Sequence, residues 1–356
     1  MQPPDFARTL IGWYQHHQRP LPWRNTHDPY RIWLSEIILQ QTRVAQGLPY
    51  YQRFLEAFPN VQALAAAPQA TVLRLWQGLG YYSRARNLHA CARTVVEKHG
   101  GSFPTTFQHL QHLPGIGPYT AAAIASFAFK EPVAVVDGNV FRVLARVFGF
   151  DQDTASQTGR AFFFEHANRL MDRGQPDIFN QALMEFGALQ CVPRNPRCGE
   201  CVFEQQCFAR RHNLQQSLPV KLKKQKVRHR YLNYLVLMWK NQLLMRPRTA
   251  RDIWQGLHDF LLVETTRAVR WDRLQEQLQT APAAVRTAKP KSVYSYRHLL
   301  SHQVLHIQLY QIELKKEWKK LPEGFAWQNA RKADRLAKPI VLTRYLQEIG
   351  FGHPGR

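Results

Sequence analysis

The stretch LPGIGPYTAAAIASFAF, residues 113–129, places two glycines and a proline directly before a run of small and apolar residues. Gly115 and Gly117 permit a tight turn, and Pro118 suits the first turn of a helix. Backbone N–H groups exposed at a helix start form a site for anions. The stretch therefore predicts two closely packed helices joined by a phosphate-binding turn. An ordinary helix–turn–helix corner is the plain alternative.

The overall charge favours a polyanionic partner. The 356 residues include 48 Lys and Arg against 25 Asp and Glu, which gives a formal net charge of +23. Aromatic residues make up 12% of the chain, and such side chains stack on nucleobases. The first residues show no secretory signal, and no apolar run approaches the ~20 residues of a membrane span. We expect a cytoplasmic, nucleic-acid-binding protein without a membrane contact, whose thiols stay reduced.

Two kinds of periodicity divide the chain. Apolar residues recur at helical spacing within residues 1–212, whereas residues 213–229 read as a solvated basic linker without an acid. Residues 230–356 predict an α+β domain. A predicted hairpin (231–248) and helical spacing at 273–279 and 340–349 indicate that domain. In a further predicted strand, Leu305, Ile307 and Leu309 alternate with His306, Gln308 and Tyr310.

Two carboxylates are candidates for catalysis. Asp137 follows the apolar run Val133–Val136 at a predicted helix start, where Asp is also favoured simply as an N-cap. Glu36 lies on a predicted helix among mainly apolar neighbours, which would raise its pKa and keep it protonated. A solvated helix edge is the alternative for Glu36. One acid and one charge-stabilising carboxylate together would suit cleavage of a glycosidic bond.

Four of the five cysteines lie in CVPRNPRCGECVFEQQC, residues 191–207, with the spacing C-x6-C-x2-C-x5-C. A reduced compartment disfavours disulfides. A zinc site usually shows two short Cys or His pairs, and only one CxxC is present here. Four closely spaced thiolates also suit an iron–sulfur cluster. The fifth cysteine, Cys91, is expected to be a small buried residue.

The motifs together resemble those of MutY-type adenine DNA glycosylases, members of the helix–hairpin–helix superfamily, over about residues 10–210. The resemblance rests on RPLPWR, WLSEIILQQT, QGLGYYSRARNL, LPGIGPYTAAAI, VDGNVFRVLAR and NQALMEFGALQC, followed by the cysteines. It implies a monomeric, nucleoid-associated enzyme of base excision repair. Such an enzyme flips adenine out of double-stranded DNA when the adenine is mispaired with 8-oxoguanine or guanine.

The resemblance also assigns roles to individual residues. It makes Glu36 the catalytic acid and Asp137 the stabiliser of the cationic sugar, supported by Tyr119 and Asn139. A lysine at the position of Tyr119 marks the related lyases, so this chain is expected to leave the DNA strand intact. The expected adenine-pocket residues are Trp23, Arg24, Gln181 and Met184; those expected beside 8-oxoguanine or DNA are Gln41, Tyr81, Gly115, Gly117, Ser301 and His302.

The same resemblance implies one 4Fe–4S cluster held by Cys191, Cys198, Cys201 and Cys207. It also implies a Nudix-like C-terminal domain that recognises 8-oxoguanine. The segment VRWDRLQEQL lacks the paired glutamates that bind magnesium in Nudix hydrolases, so nucleotide hydrolysis is not expected. Leu300 stands where the family's recognition loop usually has phenylalanine, which is a departure from the pattern.

Two other functions remain open at this point. A pyrimidine-specific glycosylase on the same scaffold would keep both carboxylates, but Gln181 and the second domain argue against it. A non-enzymatic iron–sulfur DNA-binding regulator would keep the basic charge and the thiols. The pairing of Glu36 with Asp137 argues against the regulator.

Overall fold

The computed structural model describes residues 2–222, 227–278 and 281–351. Two compact units divide the chain. The helical unit comprises Met1–Ala66 and Asn87–Lys224, and the sheet unit comprises Ala67–Arg86 and Gln225–Arg356. No helix within the described residues has the length and apolar character that a membrane span requires.

Helices dominate the first two hundred residues, as the apolar periodicity predicts. The helices are α1 (Pro3–His17), α2 (Pro29–Leu39), α3 (Val44–Ala57), α4 (Val61–Ala66), α5 (Gln69–Leu75), α6 (Ser83–His99), α7 (Phe107–Leu110), α8 (Pro118–Phe129), α9 (Gly138–Phe148), α10 (Gln157–Leu170), α11 (Pro176–Leu189) and α12 (Phe208–Arg211). Helix α5 and the first turn of α6 belong to the sheet unit.

The predicted tight turn joins α7 to α8. Helix α7 ends at Leu110, and Gly115 in the turn has φ +74°. Gly117 is the N-cap residue of α8, and Pro118 begins that helix. The alanines of α8 are buried and α8 packs against α2, so the helix–hairpin–helix prediction is confirmed.

Helices α9 and α11 form the centre of the second half of the helical unit. They approach closely because Gly187 of α11 has no side chain: a Cβ there would lie 2.6 Å from the Cβ of Asn139. Leu218 is buried in this core, and the carbonyl of Val220 accepts a hydrogen bond from Thr154 N (3.2 Å). The prediction that the segment from residue 213 is wholly solvated is therefore wrong at these positions, because its apolar residues complete the core.

The sheet unit is built on a mixed sheet with the order β3-β2-β1-β6-β5, where β4 also pairs with β1 and β7 with β2. Strands β1 and β6 run parallel, and the other pairs run antiparallel. The α+β prediction is confirmed. The elements are β1 (Arg228–Trp239), β2 (Gln242–Pro247), β3 (His258–Asp259), β4 (Leu261–Thr265), α13 (Trp271–Gln275), α14 (Ala283–Arg286), β5 (Ser292–Leu299), β6 (Gln303–Glu313), β7 (Ala326–Asn329), α15 (Ala330–Arg335) and α16 (Ile340–Glu348).

Two expectations for this unit need correction. Tyr310 is buried, although the alternation in β6 predicted an outward side chain, because this end of the strand packs in a core with Leu274 of α13. Arg230, which directly follows the predicted linker 213–229, is buried and forms ion pairs with Asp252 (2.7 Å) and Glu264 (2.6 Å). The predicted helix at 273–279 ends at Gln275, and Gln279 lies outside the described residues. Lys223, Lys224 and Lys226 of the predicted linker also lie outside them.

Residues 67–86 belong to the sheet unit although they precede most of the helical unit in sequence. Gln77 donates to Thr343 Oγ1 of α16 (2.9 Å), and Arg86 donates to the carbonyl of Gln255 (2.8 Å). The Tyr81 hydroxyl is hydrogen-bonded to Ser301 Oγ. These long-range contacts have no signal in the local sequence. The functional division at residues 212 and 230 stays a prediction.

Substitution of Gly115 tests the tight turn. A Cβ at this position would lie 2.5 Å from the Cβ of Asn87, and the positive φ adds strain. We expect Gly115→Ala to lower the free energy of unfolding by about 1–3 kcal/mol in thermal or urea unfolding. Gly12→Ala is the matched control, since its Cβ would meet no atom within 4 Å and alanine favours the helix. An equal effect of the two variants would contradict the role of Gly115.

Candidate active site

One cavity of about 190 Å³ in the helical unit brings the two candidate carboxylates together. It lies among α2, α8, α9 and α11 and the segment before α2. Every catalytic and adenine-pocket residue predicted from the sequence lines it: Trp23, Arg24, Glu36, Tyr119, Asp137, Asn139, Gln181 and Met184. The cavity is open on one side and is large enough for a flat heteroaromatic base.

Glu36 reaches the cavity from a helix that is buried almost throughout. Asp28 caps α2 by accepting a hydrogen bond from Tyr30 N (2.9 Å), and Pro29 occupies its first turn. Glu36 is only 7% exposed. Burial raises the pKa of Glu36 to about 7, although the hydrogen bond from the Tyr119 hydroxyl (2.8 Å) acts in the opposite direction. Glu36 is therefore substantially protonated at neutral pH, as a general acid must be.

Asp137 is the N-cap residue of α9 and also lines the cavity, so the N-cap interpretation is confirmed and its catalytic role stays a prediction. One carboxylate oxygen accepts hydrogen bonds from the backbone N–H groups of Asn139 and Val140, each at 2.8 Å. The other accepts from the Asn139 side chain, also at 2.8 Å. Burial raises the pKa of Asp137, and these N–H donors oppose that effect by favouring the charged form. The carboxylate is consequently fixed in orientation towards the cavity.

Glu185 is a central residue of the cavity that the sequence interpretation missed. It is 1% exposed, and its two oxygens accept hydrogen bonds from the guanidinium groups of Arg19 and Arg24 at 2.6–2.9 Å. Burial alone would raise its pKa, but the two arginines outweigh that effect and lower the pKa to about 2. A glutamate within the apolar run NQALMEFGAL, directly after Met184, was the available signal.

The remaining pocket residues are also fixed by contacts. The Tyr14 hydroxyl donates to Gln181 Oε1 at 2.8 Å. Trp23 is buried and packs edge-on against Tyr51, with ring centroids 5.2 Å apart. These contacts leave the polar edge of Gln181 and the face of Trp23 in defined positions.

Arg142 of α9 connects the carboxylate region with the cysteine segment. Its Nη2 donates to Asn139 Oδ1 (2.8 Å) and to the carbonyl of Gly187 (2.7 Å). Its Nε donates to the carbonyl of Cys191 (2.7 Å). The side chain that supports Asp137 is thus hydrogen-bonded, through one guanidinium, to the start of the cysteine loop.

All five cysteines are free thiols, which excludes the disulfide alternative. Cys91 is fully buried, as predicted. The other four line a single small cavity of about 20 Å³, together with Arg146. Arg146 Nη1 lies 3.5 Å from Cys191 Sγ, and the same guanidinium donates to the carbonyls of Val192 and Pro193. No group of three or more His, Cys, Asp or Glu side chains in the part of the chain that the structure describes is arranged to hold a metal ion.

The residues predicted to contact DNA lie elsewhere. Gln41 is exposed after α2 with a left-handed backbone, φ +55°. Ser301 and His302 are exposed in the turn between β5 and β6, which the hydrogen bond from Leu300 N to the Gln303 carbonyl closes (2.8 Å). The Tyr81 hydroxyl is hydrogen-bonded to Ser301 Oγ within the sheet unit.

The raised pKa of Glu36 predicts a pH-dependent stability difference. Between pH 4.5, the ordinary value, and about 7, the folded protein retains a proton that the unfolded chain has lost, so stability falls as pH rises. Glutamine does not titrate, so Glu36→Gln removes this fall in stability with rising pH. We expect its stability relative to the unsubstituted protein to increase by up to about 3 kcal/mol between pH 4.5 and 7, measured by urea unfolding. The exposed Glu97→Gln is the control, and a pH-independent difference for Glu36→Gln would contradict the prediction.

Comparison with known proteins places both units in described families. Residues 34–164 match the HhH-GPD superfamily of base excision DNA repair proteins, and residues 233–348 match the NUDIX domain. Among solved structures, a thermostable thymine-DNA glycosylase is 30% identical with a TM-score of 0.55, covering 59% of this chain and 97% of that one. Endonuclease III in a trapped covalent DNA complex, 20% identical with a TM-score of 0.52, covers 60% of this chain and 99% of its own and shares the fold.

Curated relatives extend the likeness to the whole length. The adenine DNA glycosylase of Buchnera aphidicola subsp. Baizongia pistaciae is 33% identical over 348 residues, 97% of this chain and 96% of the relative. That of Homo sapiens is 44% identical over 222 residues, 60% of this chain and 41% of the relative. On the strength of the full-length match and the two domain families, this chain belongs to the MutY family of adenine DNA glycosylases.

Proposed function

We propose that this chain excises adenine mispaired with 8-oxoguanine or guanine, acting as a cytoplasmic, nucleoid-associated monomer. Its membership of the family makes it a DNA N-glycosylase with DNA as its partner. The observation that carries the proposal is the arrangement of one cavity with two different carboxyl groups. Glu36 is buried with a raised pKa, and Asp137 is supported by three N–H hydrogen bonds.

The two carboxyl groups have complementary roles in breaking the N-glycosidic bond. Glu36 donates its proton to N7 of the flipped adenine, which makes the base a neutral leaving group. The sugar then carries positive charge at C1′, and ionised Asp137 stabilises it. A water molecule adds its oxygen to C1′, directly or after transient attachment of Asp137, and loses a proton, which completes the hydrolysis. The Asn139 and Val140 N–H groups keep Asp137 oriented, while Tyr119 keeps Glu36 oriented.

Polar groups with fixed positions support recognition of the base. Arg19, Arg24 and ionised Glu185 form a hydrogen-bonded cluster on one side of the cavity. Gln181, held by Tyr14, offers an amide with both a donor and an acceptor group. A purine edge that alternates donors and acceptors matches such a surface, whereas Trp23 and Met184 supply apolar contact.

The strand is left intact after excision. A lyase reaction needs an amine that forms a Schiff base with the sugar. Tyr119 occupies the relevant position and its pKa is well above the ordinary value because of burial, so its hydroxyl stays neutral. We therefore assign a monofunctional glycosylase to this site.

The DNA around the adenine is held by separate surfaces. The turn at Gly115 and Gly117 directs the N-terminus of α8 at a backbone phosphate. Gln41 and Tyr81 enter the base stack beside 8-oxoguanine, and Ser301 and His302 hydrogen-bond to that base or to its phosphate. The exposed turn that carries Ser301 and the contact between Ser301 and Tyr81 support this assignment.

We propose that the four clustered thiols hold one 4Fe–4S cluster. Cys191, Cys198, Cys201 and Cys207 line one cavity, and Arg146 Nη1 lies within hydrogen-bonding distance of the Cys191 sulfur. Burial raises the pKa of Cys201 to about 12, so metal binding must displace thiol protons. Once bound, the cluster would cross-link the loop and so fix the segment that Arg142 and Arg146 anchor. Because the thiol cavity and the adenine cavity share no lining residue, the role of the cluster would be structural or redox-modulating.

Excision on a labelled duplex tests the proposed reaction. The substrate carries one adenine opposite 8-oxoguanine, and strand breaks are measured with and without alkali. We expect breaks only after alkali, because adenine is released and the strand stays intact. Glu36→Gln should keep binding the duplex but lose single-turnover excision by at least about 100-fold.

Three outcomes would contradict this scheme. Breaks without alkali would show a lyase. Release of thymine from a guanine–thymine duplex in preference to adenine would show the pyrimidine-specific alternative. Full activity of Glu36→Gln would remove Glu36 as the acid.

Iron analysis tests the cluster. Purified protein should be brown, with about four irons per chain. Cys198→Ser should lose iron and visible absorbance, whereas Cys91→Ser, which replaces the buried thiol outside the loop, should retain both. Stoichiometric zinc, or equal iron loss from the two variants, would overturn the assignment.

A further inference from the structure

The loop that carries Tyr81 has an uncommon backbone. Gly78, Gly80 and Tyr81 all have positive φ values, +104°, +75° and +47°. Glycine adopts this region at little cost, but a tyrosine adopts it only when surrounding contacts compensate for the strain. Contacts beyond the loop's own backbone must therefore hold the Tyr81 ring in place.

Arg84, the second residue of α6, makes such contacts to the loop backbone. Its Nη2 lies 3.3 Å from the carbonyl oxygen of Gly80 and 3.5 Å from that of Leu79. The indole Nε1 of Trp76 donates to the same Gly80 carbonyl at 3.0 Å. Two side chains from either side of the loop thus converge on the peptide group that precedes Tyr81.

The same guanidinium also lies against two aromatic rings. Its Cζ is 5.0 Å from the ring centroid of Trp76 and 5.8 Å from that of Tyr81. Both distances are within the range of cation–π attraction, which strengthens when the cation is withdrawn from water. Arg84 is 8% exposed. Burial lowers its pKa to about 10, which leaves the guanidinium charged at neutral pH.

We infer that Arg84 is a positioning residue for mispair recognition: it fixes the backbone and the ring face of Tyr81, while Ser301 contacts the ring's hydroxyl end. The inference rests on the proposed role of Tyr81 beside 8-oxoguanine. A ring held at both its face and its hydroxyl enters the base stack without first being ordered, so less conformational entropy is lost on binding. Arg84 itself does not contact DNA in this scheme.

A purely structural role for Arg84 makes a different prediction. Loss of a buried arginine would then weaken folding and reduce every activity in proportion, whatever residue stands at position 81. Positioning through Tyr81 instead requires the two substitutions to be coupled. A double-mutant cycle separates the two cases. Only if the residues are coupled does substitution of Arg84 lose its effect once Tyr81 has been replaced.

The cycle uses Arg84→Met, Tyr81→Ala and the double variant of the full-length protein. Methionine retains the apolar stem of the arginine. The measured quantity is the Kd for a duplex with 8-oxoguanine opposite 2′-fluoro-2′-deoxyadenosine, which resists hydrolysis because fluorine destabilises a cationic sugar. We expect Arg84→Met alone to weaken binding about 5- to 10-fold. In the Tyr81→Ala background, the same substitution should have no further effect.

Controls separate positioning from folding. Arg93→Met removes an exposed arginine of the same helix, paired with Glu97, and should leave Kd unchanged. Thermal unfolding identifies any loss of folded protein. If Arg84→Met does not fold, Arg84→Lys takes its place in the cycle. The lysine ammonium keeps the charge but lacks the planar guanidinium that contacts both the Gly80 carbonyl and the Tyr81 ring.

Each result has a defined meaning. An equal fold-change for Arg84→Met in both backgrounds, or no change in either, overturns the inference and leaves the proposed function intact. If Tyr81→Ala leaves Kd unchanged, the inference is overturned together with the role of Tyr81 in recognition. Loss of binding for Arg84→Met that vanishes in the Tyr81→Ala background establishes the coupling.

Discussion

The hydrogen bonds that Asp137 accepts at the start of α9 are the constraint on which the candidate site depends. The carboxylate must accept from the N–H groups of Asn139 and Val140 to cap the helix, and the same contacts aim it into the cavity beside Glu36. Loss of an N-cap costs about 1 kcal/mol, so the helix and the site are stabilised by one group. The N-cap contacts therefore hold the carboxylate in its position in the cavity.

The same helix extends that constraint to the thiol loop. Arg142 and Arg146 lie one turn apart on α9 and donate hydrogen bonds to the carbonyls of Cys191, Val192 and Pro193. Because Arg142 also donates to the Asn139 side chain, the position of the loop and the orientation of the carboxylate support are physically linked. The close approach at Gly187 completes this arrangement, since any side chain there would displace Asn139.

The site also depends on opposite pKa shifts of two buried carboxyl groups. Glu36 is buried beside a neutral tyrosine hydroxyl and has a raised pKa, whereas Glu185, equally buried, is paired with two arginines and has a lowered one. Burial is common to both, so the difference comes from the neighbouring charges. A proton donor and a fixed anion therefore coexist in one small cavity, which is what separate acid and recognition roles require.

The sequence by itself determined the helical character of the first part of the chain, the tight turn and the α+β class of the second part, and the family resemblance named the pocket residues. Local rules govern these features: glycines permit the turn, apolar periodicity marks the helices, and motif order carries the family resemblance. Only the tertiary structure decided that Arg19 and Arg24 neutralise Glu185, that Leu218 completes a core, that Arg230 is buried in ion pairs, and that residues 67–86 pack within the sheet unit. Each of these depends on partners far apart in the chain, and the spacing of residues along a sequence does not specify which distant side chains will meet.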